Sequence, residues 1–422
     1  MEDVLYWIWL SMSCTPGYTT FDKLIAEFDT PRKIYDATDG EIASCIGSRV
    51  RDYTYLIRRD LEGARTVYDF CTRHKVGILT YHDKEFPEAL RQIVSSPVLL
   101  YYRGQLPDFK ALCPIAIVGS RKMSAYGQRS AFTVAADLAR GGATVVSGMA
   151  RGVDAMAMAG ALSEGGRVIA FLGSGIDVCY PEEHLCLARE TVKQGCIFTE
   201  YAPGTPPDRF NFPKRNRLIS GLSAATLVIE GKEQSGAMIT ARHAMAQNRP
   251  VYALPGNVDS PGSAAAHLLL REGARLLTAA DDVMRDLEPS YLGILNPFAM
   301  AAAEPKEMAG VLKSLSLTGS EEKEREKGLF GSLFTKKKQA PKPQAASESA
   351  RQAEGEDRTE EILSALGEDA RAVYERIPSE GSCALESLCD ESMPLRTVMK
   401  YLLKLEIKGL VTMLPGERVE RA

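Results

Sequence analysis

Ile115-Ala116-Ile117-Val118-Gly119-Ser120-Arg121 is an apolar run that stops at a glycine and a cation, and its pattern returns along the chain. Thr144-Val145-Val146 runs into Ser147-Gly148-Met149-Ala150-Arg151-Gly152, and Val168-Ile169-Ala170-Phe171 runs into Gly173-Ser174-Gly175. Cys196-Ile197-Phe198, Leu227-Val228-Ile229 and Val251-Tyr252-Ala253-Leu254 are further runs of the same kind. Amphipathic stretches separate them, at about residues 127–140, 154–164, 182–194, 238–247 and around Arg215. Continuous apolar strands alternating with helices predict a parallel sheet covered on both faces. The expected fold is α/β, a Rossmann-like doubly wound parallel sheet.

Working outward, residues 1–75 carry apolar residues at helical spacing, as in Phe21, Leu24, Ile25 and Phe28. They predict a small helical domain ahead of a main domain at 76–290. Residues 303–358 are rich in Glu, Lys, Ala, Ser, Gln and Pro and predict a disordered linker, with Lys336-Lys337-Lys338 as a solvated charge run. Residues 360–422 read as helices followed by a hairpin at Pro415-Gly416, the order of a C-terminal winged helix. Arg396, Lys400, Lys404 and Lys408 recur every four residues there as a basic stripe that faces either DNA or solvent.

The chain of 422 residues has a net charge of -4, so nucleic-acid binding requires a local cationic patch. Nine cysteines without a Cys-x-x-Cys pair speak against a disulfide framework or a zinc site, and no metal or cofactor is expected. The acidic start and the lack of a long apolar run predict a soluble, cytoplasmic protein without membrane association.

In open α/β sheets the ligand lies beyond the carboxyl ends of the strands. Candidates there are Gly119, Ser120 and Arg121, with Ser124 and Tyr126 on the same rim. Gly148, then Gly173, Ser174 and Gly175, and finally Ser235 and Gly236 supply further backbone N–H groups. Phe212-Pro213-Lys214-Arg215-Asn216-Arg217 adds three cations at the expected start of a helix, where cations are unfavourable unless an anion sits beside them. Arg121 and Arg215 have no evident core role in this reading. Tyr126 is read equally as a base-stacking group or as packing. Asp154 and Asp177 are read as caps that hold the glycine loops, and Glu230 as a group that orients Arg215 or Arg217, or as a general base. His184 and His267 lie near the loops. Neither Gly-x-Gly-x-x-Gly nor a P-loop follows a strand, which disfavours NAD and ATP. No catalytic group is identified.

As a set, Gly119-Ser120-Arg121, Ser147-Gly148-Met149-Ala150-Arg151-Gly152-Val153-Asp154, Gly173-Ser174-Gly175-Ile176-Asp177 with Tyr180-Pro181, Phe212-Pro213-Lys214-Arg215-Asn216-Arg217 and Ser235-Gly236-Ala237-Met238 resemble the DNA-processing protein DprA (Smf) family. The likeness is strong over about residues 75–290 and looser over the helical, SAM-like start and the winged helix. It implies a non-enzymatic recombination mediator of natural transformation that binds single-stranded DNA, forms a homodimer and loads the RecA recombinase. Arg121, Lys214, Arg215 and Arg217 would carry the DNA contact. Leu268 to Leu270 with Leu276-Leu277 would form the dimer surface. The family often has Asn where His184 stands. The alternative is an enzyme resembling nucleoside monophosphate glycosidases, but their signature ends in an acidic residue, and Ser235 to His243 here lacks it.

Overall fold

A computed structural model describes residues 2–301, 306–317, 368–378 and 382–390, with further positions between 393 and 421. The chain divides into two compact units, residues 1–337 and 338–422.

The first unit is built on nine strands: β1 (Gly77–Thr80), β2 (Leu99–Gly104), β3 (Pro114–Val118), β4 (Thr144–Ser147), β5 (Val168–Phe171), β6 (Cys196–Thr199), β7 (Ala225–Val228), β8 (Val251–Ala253) and β9 (Arg275–Leu276). Their order in the sheet is β1-β2-β6-β5-β4-β3-β7-β8-β9. From β6 through β9 every pairing is parallel. β2 pairs antiparallel with β6 and β1 antiparallel with β2, so the segment upstream of the alternating pattern extends one edge. The Rossmann-like, doubly wound architecture holds, with this antiparallel edge added.

Strand alternation divides the core into two layers. Ile115, Ile117, Val145, Val168 and Ala170 point to one face and pack with Phe132 and Ala135 of the helix Ala125–Arg140 and with the helix Val153–Ser163. Ala116, Val118, Val146, Ile169 and Phe171 point to the other, against Leu218, Ile219 and Leu222 of the helix Asn211–Leu222 and against the helix Gly236–Ala246. The N-terminal helices join the first layer. Trp9, Leu10, Phe21 and Leu24 share one buried cluster with Leu99 and Tyr101 of β2, so the core is continuous from the helical segment into the sheet.

One boundary expected from composition needs correction. Inside the stretch read as linker, Met308–Ser314 is a helix, with Leu312 and Leu315 buried in the first layer. Lys306 anchors its approach by donating to the Ser163 carbonyl. Those few apolar side chains dock on an existing surface, which overrides the polar composition around them.

In the second unit the described residues comprise a helix, Glu368–Glu375, and an antiparallel sheet of β10 (Ser382–Ala384), β11 (Val411–Leu414) and β12 (Arg418–Arg421) in the order β10-β12-β11. Val373, Ile377, Leu388, Val398, Leu402, Leu405 and Val419 form a small core. The basic stripe Arg396, Lys400, Lys404 and Lys408 lies outside the described residues, as does Lys336-Lys337-Lys338.

Candidate nucleic-acid interface

β3 and β7 are neighbours, and the chain continues from them toward opposite edges of the sheet. This is the switch point at which a doubly wound fold opens a crevice. The loops after the two strands are joined there by Glu230. Its carboxylate, 5 % exposed, accepts from the Ser124 backbone N–H at 2.9 Å and from the Ser124 hydroxyl. The same hydroxyl accepts from Gly127 N–H at 3.0 Å and so caps the helix Ala125–Arg140. Any side chain at Gly127 would collide with the Glu230 carboxylate. Glu230 therefore shapes the loop after β3, which corrects the expectation that it orients Arg215 or Arg217. Tyr126, left at the rim, is exposed and donates to the Pro255 carbonyl at 3.0 Å.

The three cations of the helix Asn211–Leu222 separate in space. Arg215 is 3 % exposed and donates to the carbonyls of Gly148, at 2.9 Å, and of Phe171, so one guanidinium ties together the ends of β4 and β5. Its Nε donates to Asn216 Oδ1 at 3.2 Å, and Asn216 Nδ2 donates to the Gly236 carbonyl at 3.2 Å. The backbone of Gly148 passes so close to Arg215 and Asp154 that a Cβ there would meet both. Asp154 accepts from the N–H groups of Gly148 at 3.1 Å and Ala150 at 3.4 Å and attracts Arg215 electrostatically. Burial pulls the Arg215 guanidinium down to about 10 and raises the Asp154 carboxyl, and each partner partly offsets the other's penalty.

Arg217 is also internal. Both of its terminal nitrogens reach Glu200, at 2.7 Å each, and its Nε donates to the Ser95 carbonyl at 2.8 Å. Burial disfavours its charge, and Glu200 outweighs that, leaving its pKa above the ordinary value. The anion that the helix start demands is thus Glu200 for Arg217, with Asp154 and two carbonyls for Arg215. The expectation that these two arginines are free to meet phosphate is corrected accordingly. Lys214 alone of the three stays partly exposed, with its ammonium 5.0 Å from the centre of the Tyr18 ring.

What faces solvent is a set of cations on aromatic rings. The exposed Arg121 guanidinium lies 5.2 Å over Phe212, which also meets Tyr180 at 5.5 Å between ring centres and the buried Arg215 guanidinium at 5.9 Å. Phe210 is 62 % exposed, with Arg209 4.8 Å over it. Tyr180, which belongs to the motif set that carries the family resemblance, joins this surface together with Tyr18, Arg209 and Phe210, which were not among the expected site residues. The signal available was the alternation Arg209-Phe210-Asn211-Phe212-Pro213-Lys214, in which aromatics and cations interleave.

The remaining candidates are scaffold or rim. Gly173 carries the Phe212 ring against its Cα. Ser174 is buried and donates to the Val178 carbonyl at 3.1 Å, while the Gly175 N–H donates to Thr205. Ser120 turns its hydroxyl back onto Lys122, and the carbonyl of Ser120 accepts from Val153 N–H. Gly119 abuts Val153. Ser235 caps the helix Gly236–Ala246, and Asp177 holds Gly204 N–H at 2.8 Å. His184 is buried and donates from Nδ1 to the Met149 carbonyl at 2.9 Å, whereas His267 contacts the Gly256 carbonyl at 3.0 Å. Among the described residues no cluster of His, Cys, Asp and Glu forms a metal-binding group, and no helix is long and apolar enough to cross a membrane.

Residues 77–288, half of the chain, match the family model described as DNA recombination-mediator protein A. The chain belongs to this family. It is 34 % identical to the DNA processing protein DprA of Bacillus subtilis over 223 residues, covering 53 % of this chain and 75 % of that one. With the DprA of Streptococcus pneumoniae strain R6 it shares 39 % identity over 206 residues, 49 % of this chain and 72 % of the relative. The X-ray structure of DprA from Streptococcus pneumoniae superposes with a TM-score of 0.59 at 32 % identity, over 66 % of this chain and 95 % of that chain. The family match begins at β1 and ends beyond β9, so it spans the sheet and every loop described above.

Two outcomes follow for the scaffold. Arg217→Met leaves Glu200 buried without a counter-ion and is expected to cost about 3–5 kcal/mol in urea unfolding, whereas adding Glu200→Leu should restore much of it. A loss below about 1 kcal/mol for the single variant would mean that the pair is not held as described. His184 is held below its ordinary pKa, chiefly by burial, so the folded state stays neutral while the unfolded chain takes up a proton. Stability from this group is complete above about pH 6.5 and is lost as the pH falls below it. His184→Asn should therefore flatten the fall of Tm between about pH 7.5 and pH 5.5, and an unchanged slope would exclude His184 as its source.

Proposed function

We propose that the surface above the carboxyl ends of β3, β4, β5 and β7 binds single-stranded DNA, and that the chain acts through that binding as a recombination mediator. The observation that carries this reading is the Arg121–Phe212–Tyr180 stack beside glycine loops whose shape is set from beneath by Arg215 and Glu230. Exposed cations suit the sugar-phosphate chain and open aromatic faces suit unpaired bases, which a duplex keeps stacked inside. Little sequence preference is expected, because no array of side-chain donors and acceptors is presented for base edges. Of the four expected phosphate contacts, Arg121 and Lys214 are kept, and Arg215 and Arg217 serve the scaffold beneath.

Membership of the family supports delivery of the bound strand to the RecA recombinase as the step that follows, in the cytoplasm and without bond making or breaking by this chain. It also supports a homodimer. Leu269 and Leu277 are fully buried and complete the core, so the dimer contact is assigned to the outer edge of β9 with Leu276, 53 % exposed, and the half-buried Leu268 and Leu270.

Arg121→Glu is the direct test, because an exposed side chain can be changed without loss of fold. A charge-assisted hydrogen bond is worth about 1.5–3 kcal/mol, so affinity for single-stranded DNA should fall at least about tenfold to a hundredfold with Tm unchanged. With about three phosphates engaged, the log–log salt slope of the unsubstituted chain should be about -2. A flat salt response, tighter binding to duplex than to single strands, or an Arg121→Glu variant that binds normally would each refute the proposal.

A further inference from the structure

The cationic rim continues past Lys214 onto the N-terminal helices. Tyr18, under the Lys214 ammonium, sits in the loop between the helices Glu2–Ser13 and Thr20–Phe28 and is 58 % exposed. In the same loop the Thr15 hydroxyl donates to Asp52, the residue next to Arg51, which ties the Tyr18 loop to the start of the helix Arg51–Leu56. The Arg51 guanidinium lies 5.7 Å over the Tyr55 ring, and Arg58 approaches the same ring at 5.5 Å. Tyr55, Arg51, Arg58 and the adjacent Arg49 are all exposed.

Counter-charge is scarce at this surface. Asp52, next to Arg51 in sequence, attracts it electrostatically but is buried, without an ion-pair contact to it, and accepts from the Thr15 hydroxyl. Arg59, the neighbouring arginine, is engaged elsewhere by Asp39 and by the carbonyls of Tyr35, Ile57 and Ala37. Among the described residues none of Arg49, Arg51, Arg58 and Lys214 takes part in an ion pair. In a chain with 55 acidic and 51 basic residues, four unpaired cations around two open tyrosines concentrate positive potential in one strip.

We propose that Tyr18, Arg51, Tyr55 and Arg58 form a second contact for single-stranded DNA, prolonging the path that begins over the sheet and passes Lys214. Phosphates meet the arginines, and bases stack on the exposed tyrosines and on guanidinium planes. The contact rests on the DNA-binding reading above, and it adds length to the bound segment while leaving the first contact unchanged.

The test uses the full chain and oligothymidylates of about 6 and about 30 nucleotides, the shorter sized for one contact and the longer for both. Arg51→Ala combined with Arg58→Ala, and separately Tyr55→Ala, should weaken binding of the longer strand about tenfold and leave the shorter one unaffected. The double variant should make the salt slope for the longer strand shallower by about 1.4, the value for two phosphates at about 0.7 each. Equal affinity of the variants and the unsubstituted chain for the longer strand overturns the proposal, and so does a loss confined to duplex DNA. Arg121→Glu run in parallel separates the two readings: normal binding of both lengths by that variant refutes the contact over the sheet and the path prolonged from it, whereas normal binding of the longer strand by the Arg51, Arg58 and Tyr55 variants refutes the N-terminal contact alone. Photocrosslinking of the unsubstituted chain to a bromodeoxyuridine-substituted strand supplies a readout independent of folding. Adducts on Tyr18 or Tyr55 are expected, and adducts restricted to residues beyond β3 overturn the proposal.

Discussion

The Arg215 guanidinium is the constraint on which the rest of the surface depends. From the first turns of the helix Asn211–Leu222 it reaches beneath the loops and holds the carbonyls at the ends of β4 and β5, with Asp154 beside it. Carbonyls at strand ends have lost their ladder partners and are costly to bury unpaired. One arginine satisfies two of them and fixes the distance between two strands and a helix. Because the helix is anchored from below, its first residues are fixed above, and Phe212 comes to rest against Gly173 and under Arg121. Glu230 plays the matching part on the other side of the switch point, where it sets the loop that carries Ser124 and Tyr126.

This division explains how an acidic chain can offer a cationic surface. Cations set deep in the fold are matched internally, Arg217 by Glu200 and Arg215 by Asp154 and carbonyl oxygens. On the rim Arg151 pairs with Glu183, whereas Arg121, Arg209 and Lys214 rest on aromatic rings, which supply attraction without neutralising the charge. A carboxylate in the place of Phe212 would quench Arg121, whereas the ring holds it and leaves its N–H groups free for a partner. The same device recurs at Lys214 over Tyr18 and at Arg51 over Tyr55.

The sheet was legible in the sequence because parallel strands buried on both faces leave continuous apolar runs, as at Ile115–Val118 and Val168–Phe171, and the glycine loops at their ends marked the right edge of it. Which arginines are exposed was not legible. Arg121 and Arg215 look alike as cations beside strand ends, and what separates them is the approach of Phe171, Gly148 and Asp154, all more than forty positions from Arg215 in the chain. Glu200 gives no local sign that it belongs to Arg217. The helix Met308–Ser314 escaped for a related reason, since Leu312 and Leu315 are too few to show a period and fold only against a surface made elsewhere. Tyr180 and Phe210 were readable as aromatics but not as exposed ones, because exposure is a property of the packed helix start.

In the proposed function an internally braced loop floor presents a solvent-facing, aromatic-backed cation surface to single-stranded DNA. Amide hydrogen exchange of the full chain, with and without a saturating oligothymidylate, addresses it most directly. New protection is expected in the segments 119–127, 173–180 and 209–214, while the strands beneath them, already buried, stay as they were. Unchanged exchange in all three segments under conditions where the DNA is bound would contradict the proposal.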